Sequence, residues 1–116
     1  MGIDPLVSVL TKSLDALSMR QQAIAQNLSN INTPNYQPLQ VDFETAFQEA
    51  LSRGGLSDLM ELENPAISLR DSSVGEIMLD QEIALLSQTV LQYQALIRGL
   101  NKQFALMQLA VTEGRR

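Results

Sequence analysis

Ten apolar residues near the C-terminus constrain this chain more than anything else in it. Leu79, Ile83, Leu86, Val90, Tyr93, Ile97, Leu100, Phe104, Met107 and Val111 are spaced alternately four and three apart, without one polar interruption. That alternation is a heptad seam, and a strand of period two does not carry it. The charges agree with a single long helix. Glu76, Asp80 and Glu82 stand near its start, and Arg98, Lys102, Arg115 and Arg116 toward its end, which complements the helix dipole. Two starts fit: Ser73 with Glu76 as a capping box, or Asp80 as the cap.

A second seam opens the chain. Asp4-Pro5 is a helix start, since aspartate accepts hydrogen bonds from free backbone donors and proline suits the first turn. From there Ile3, Val7, Leu10, Leu14, Leu17, Gln21, Ile24, Leu28 and Ile31 repeat the alternation with one polar member, almost to Pro34, which disfavours helix at Thr33. Helices of this length reach ~40–50 Å. The expectation is an all-α chain whose long N- and C-terminal helices pair as a coiled coil, with a weakly ordered middle. Its segments are a heptad helix over 1–33, a turn, short helix and flexible loop over 34–73, and a heptad helix over 74–116. In the middle, Asp42 is a candidate cap for a short amphipathic helix carrying Phe43, Ala46, Phe47, Ala50 and Leu51, ending near Gly54-Gly55. Leu56–Ser73, interrupted by Pro65, shows no sustained period and reads as a loop, the most mobile part of the chain.

Composition removes whole classes of chemistry. The 116 residues suffice for one small domain, and a net charge of -5 argues against a nucleic-acid partner. There is no cysteine and no histidine, so disulfides, thiolate chemistry and the usual general base near neutral pH are all missing. The carboxylate pairs Glu61/Glu63 and Asp80/Glu82 are two residues apart and do not face each other on a helix, so solvation and dipole matching explain them better than catalysis. Arg98 and Lys102, one turn apart, read as a solvated face or a contact for an acidic partner. Gly54-Gly55 is no phosphate loop, because no Lys-Ser/Thr follows it. Gly99 marks either a close helix approach or a tolerated interruption. No catalytic residue, cofactor, metal site or small-molecule substrate is expected. The N-terminus lacks the basic region of a conventional signal peptide, and no apolar run approaches the ~20 residues of a membrane span.

The uncharged stretches carry the functional argument. Gln21–Val41 and Ile83–Ile97 hold no charged residue, whereas a solvated helix face usually carries Lys and Glu. Charge depletion is what interface cores show. Either other subunits cover these helices on more than one side, or the chain is a small bundle with a neutral surface. The first stretch also crowds Asn27, Asn30, Asn32 and Asn35 around Thr33-Pro34-Asn35-Tyr36. This fits a turn with proline at its second position and asparagine at a third that often needs positive φ. Tyr36 is then either packed on the helix end or an interface anchor aimed away from its own helix. The expected subunit interface is Asn27, Asn30, Thr33, Pro34, Asn35 and Tyr36, with Leu86, Val90, Tyr93, Ile97, Leu100 and Phe104.

The stretch AQNLSNINTPNYQ resembles the Ala-Asn-Asn-Leu-Ala-Asn-x-x-Thr-Pro-Gly-Tyr signature near the N-terminus of bacterial flagellar axial proteins, the rod, hook and hook-associated proteins. Ala25, Asn27, Leu28, Asn30, Thr33, Pro34 and Tyr36 match; Gln26 replaces an asparagine and Asn35 the usual glycine. In the segment from Leu79 to Arg116, Asp80, Glu82, Tyr93, Gln94, Leu100 and Lys102 resemble the proximal-rod members of that family. The resemblance spans roughly two-thirds of the chain. It implies a structural subunit, not an enzyme, that self-associates through its terminal helices in a helical tube. It implies export through the flagellar type III apparatus without a cleaved signal peptide, and a place in the periplasmic rod of the basal body. The implied partners are other rod subunits, the adapter protein FliE, the export gate and the MS ring. The competing reading is a soluble helical adaptor or secretion chaperone in the cytoplasm.

Overall fold

The computed structural model describes residues 4–63, 67–69 and 79–114. Helix α1 runs over Pro5–Ser29, strand β1 over Leu39–Val41, helix α2 over Glu44–Gly54, helix α3 over Leu56–Glu61, strand β2 over Ile67–Leu69 and helix α4 over Leu79–Gly114. The two long helices lie antiparallel. Near one end the Asn27 amide of α1 donates to the Glu82 carboxylate of α4 at 3.3 Å; near the other the Gln103 amide of α4 donates to Asp4 at 3.5 Å. The molecule is elongated, 65 × 27 × 19 Å.

Local chemistry starts α1 as the sequence requires. The Asp4 carboxylate accepts from the Leu6 and Val7 amides, and Pro5 occupies the first turn, where its missing N–H is not needed. The helix buries Ser13, Leu14, Ala16, Leu17, Ala23, Ile24 and Asn27. Leu14, Leu17 and Ile24 belong to the expected seam. Ala16 and Ala23 do not, yet they are almost fully covered, because α1 is covered by α3 and β1 as well as by α4. Leu17 and these alanines join Val41 and Phe43 in the core, with Tyr93 and Leu96 of α4 packed against them.

On α4 the buried side is turned by about one position from the expected seam. Glu82 and Thr89 are buried, Leu96 packs on the core and Gln103 reaches Asp4; these four stand seven residues apart. Leu86, Tyr93, Ile97 and Leu100 are half-buried beside them, whereas Leu79, Ile83, Val90, Phe104, Met107 and Val111 are exposed. The seam thus pairs within the chain along one edge only. A β-carbon added at Gly99 would meet nothing within 4 Å, so Gly99 marks no close approach among the described residues.

The described part of the middle consists of short elements. The expected short helix forms as α2, but its cap is Phe43, with no side-chain cap bond, and Asp42 stays exposed. Phe43 is buried, in edge-to-face contact with Phe47 at 5.3 Å, and Ala50 is buried, while Ala46 and Leu51 face outward. Part of the expected loop is helix α3 and strand β2. Gly55 joins α2 to α3 at φ 66°, and Arg53 pairs with Asp58 across the joint at 3.0 Å. The Lys12 ammonium, from α1, donates to the Met60 and Leu62 carbonyls, the latter at 2.5 Å. It satisfies free acceptors at the C-terminal end of α3, where a cation also complements the dipole. Strand β2 pairs antiparallel with β1, Gln40 opposite Ser68. The candidate capping box at Ser73 and Glu76, with Ile3, Arg115 and Arg116, lies outside the described residues. Asp80 is a residue of α4, its carboxylate accepting from the Gln81 amide.

Candidate functional site

The asparagine-rich segment resolves into a local device. Helix α1 stops at Ser29, and the Asn30, Ile31 and Thr33 amides donate to carbonyls three residues back. The Asn30 side chain donates to the Gln26 carbonyl and accepts from the Thr33 hydroxyl. The expected turn follows: the Tyr36 amide donates to the Thr33 carbonyl at 3.3 Å, and Asn35 stands at φ 62°. Asparagine tolerates that left-handed conformation better than any residue but glycine. Thr33, Pro34 and Asn35 are exposed.

The turn sends the chain back along α1, and this corrects two expectations. Tyr36 is not aimed away from its helix: its hydroxyl donates to Asn27 Oδ1 at 3.1 Å. Asn27 is no surface residue either; it is 0% exposed. Its amide is fully used. Oδ1 accepts from Tyr36 and, at 2.8 Å, from the Leu39 amide, while Nδ2 donates to the Leu39 carbonyl at 2.9 Å and to Glu82. Two acceptor and two donor positions are all an asparagine amide offers. Its paired bonds to Leu39 imitate a neighbouring strand, so the edge of β1 is closed by a helix side chain. Two turns earlier Arg20 does the same for Val41, donating to its carbonyl from Nε and Nη2 at 3.1 and 2.6 Å.

Arg20 is a residue that the sequence reading missed. Besides Val41 it holds Glu44 in a two-pronged ion pair at 2.6 and 2.7 Å, and its guanidinium lies 4.7 Å from the centre of the Phe43 ring. The Arg20 hydrogen bond lowers the Glu44 pKa below the usual carboxylate range, against the opposing effect of burial. Glu82 was missed too. Read as a solvated acid of the helix start, it is 2% exposed and bonded to Asn27.

Between these elements lies a cleft of about 500 Å³. Ala23 and Ile24 of α1, Leu39 and Val41 of β1 and Leu85 of α4 give it an apolar floor, and Gln40, Gln81, Gln88 and Gln92 an uncharged rim. Arg20 and Glu44 stand together at its edge, with Asp42, and the buried Glu82 lines it as well.

The far end of α4 is different. Past Gln103 it runs beyond the start of α1, and residues 104–114 are exposed throughout. This overhang is ~16 Å long at 1.5 Å per residue. Phe104, Leu106, Met107, Leu109 and Val111 are 39–58% exposed, and no charge occurs before Glu113. Of the expected interface residues, Val90 and Phe104 lie on the uncovered side of α4, and Tyr93 packs inward. No helix among the described residues is long and apolar enough to cross a membrane.

No family model matches the chain. Curated relatives do. The chain is 26% identical over 120 residues to a protein of Bacillus subtilis named flagellar basal body rod protein FlgB, covering 91% of this chain and 92% of that one. Proteins of the same name match over shorter stretches. The one from Borrelia hermsii is 38% identical over 46% of this chain and 39% of its own length; the one from Borreliella burgdorferi is 39% identical over 40% and 34%.

Proposed function

Starting from its homology to flagellar basal body rod proteins, we propose that this chain is a structural subunit of the proximal rod of the bacterial flagellum, built into it through its terminal helices. The observation that carries the reading is the overhang of α4. A helix that is apolar all round is a buried helix, yet nothing among the described residues covers 104–114. A protein that worked alone in solution would hold a liability there; a subunit holds a contact. The exposed column Ile83, Val90, Phe104 and Val111, in register at multiples of seven, supports the same conclusion, because strict sevens suit a coiled-coil partner.

On this reading the chain works by fitting, not by catalysis. It self-associates, meets other rod subunits, and has the adapter protein FliE, the export gate and the MS ring as neighbours. It reaches the periplasmic rod by type III export, without cleavage of a signal peptide. Of the expected interface residues, Val90, Phe104, Thr33, Pro34 and Asn35 are accessible to a neighbour, and Asn27 and Tyr36 serve by holding the turn in shape. Fractionation tests the reading: the chain should co-purify with detergent-extracted basal bodies. Recovery wholly in the soluble fraction would favour the adaptor or chaperone reading instead.

A further inference from the structure

We propose that residues 104–114 of α4 seat in the cleft between β1, α1 and α4 of a second copy, joining copies head to tail. The inference rests on the structural-subunit reading and specifies its contact. The first ground is an interface that ends early. Leu86, Tyr93 and Leu100, seven apart, are half-buried along α1; Met107 continues their column but is exposed, because α1 begins at Pro5, opposite Gln103. Among the described residues, the overhang thus extends a packed face past the end of its packing partner.

The second ground is chemical fit. The overhang is apolar on every side, with Gln108 and Thr112 its only polar side chains before Glu113. It needs a groove, not a flat face. The cleft is a groove walled by three elements, with an apolar floor and a glutamine rim, and the Arg20–Glu44 pair at its edge is internally neutralised. Of its two further acids, Glu82 is already buried and bonded to Asn27, so an apolar helix laid on that floor would meet one solvated charge, Asp42, whereas an acidic peptide would meet an excess of carboxylates. The third ground is position. Met107 and Leu85 are separated by ~33 Å of helix, so an overhang cannot fold into its own cleft. Two different surfaces then meet, and such a heterologous contact repeats from copy to copy, into a ring where the rotation closes and into an open helical stack where it does not.

The chain has no cysteine, which makes crosslinking free of background. Val111→Cys and Gln88→Cys are produced together in the bacterium that makes this chain, and its basal bodies are isolated and oxidised. Within one copy these positions are ~34 Å apart along α4, so any bond between them joins two copies. The expected result is a mixed 88–111 dimer that vanishes when either variant is produced alone. A second pair, Gln92→Cys with Leu109→Cys, guards against one badly placed site. Dimers of 111 with 111 and no mixed dimer, or no mixed dimer from either pair while the wild-type chain is present in basal bodies, would overturn the contact and leave the rod reading standing. Absence of the wild-type chain from basal bodies would remove the reading itself, and the contact with it.

Discussion

The two ends of this molecule are both poor in charge, for opposite reasons. At the end where α1 stops, the uncharged run Gln21–Val41 spends its key polar groups within the chain: Asn27 makes four hydrogen bonds, and Asn30 and Tyr36 bond back to the same helix. At the other end, residues 104–112 of α4 are uncharged, and their apolar side chains face outward. An uncharged run in a sequence therefore has two meanings. Rich in asparagine, it marks a turn that closes on itself; rich in leucine and methionine, it marks a surface left open in the single chain.

The sharpest way to break this comparison is at Asn27. Asn27→Ala leaves the half-buried Leu39 amide and carbonyl without their partners and removes a donor from the buried Glu82. The expected loss of stability is about 2–5 kcal/mol, read from urea unfolding of the single chain. Met107→Ala, in the overhang, should shift the same measurement by less than about 0.5 kcal/mol. Equal losses at the two sites would erase the distinction between a self-satisfied end and an uncovered one.

A smaller effect is expected at Asn35. Valine there would be forced into the left-handed region at about 1–2 kcal/mol, while Asn35→Gly should leave the unfolding midpoint almost unchanged. Glu44 gives a gentler effect that depends on pH. Because its folded-state pKa is lowered, chiefly by the Arg20 hydrogen bond, its contribution is present above the usual carboxylate pKa. It is lost as pH falls through the lowered value. Glu44→Gln should flatten the acid limb of stability against pH; an unchanged limb would show that the ion pair contributes nothing in solution.

What the sequence made legible was mostly local. Asp4 capping, the end of α1 before Pro34, positive φ at Asn35 and the existence of α2 and α4 each depend on residues within a turn of one another. Arg20, Lys12 and Glu82 were not legible as binding groups, since their partners lie 21 to 55 residues away and no period announces them. Helix α3 and strand β2 are six and three residues long, too short to show a repeat. The α4 seam was found but placed one position off. Counting large apolar residues finds the column with most side-chain volume, whereas packing followed the small residues Ala16 and Ala23 of α1, with Thr89 also wholly covered on α4.

The most direct test of the account is a charge placed in the overhang. Met107→Asp with Leu109→Asp changes two exposed side chains that touch nothing essential in the single chain. The double variant should keep the helicity and unfolding midpoint of the wild type, measured by circular dichroism, and disappear from isolated basal bodies. Normal recovery of the variant in basal bodies, with motility intact, would contradict the claim that this uncovered helix end is what the subunit assembles through.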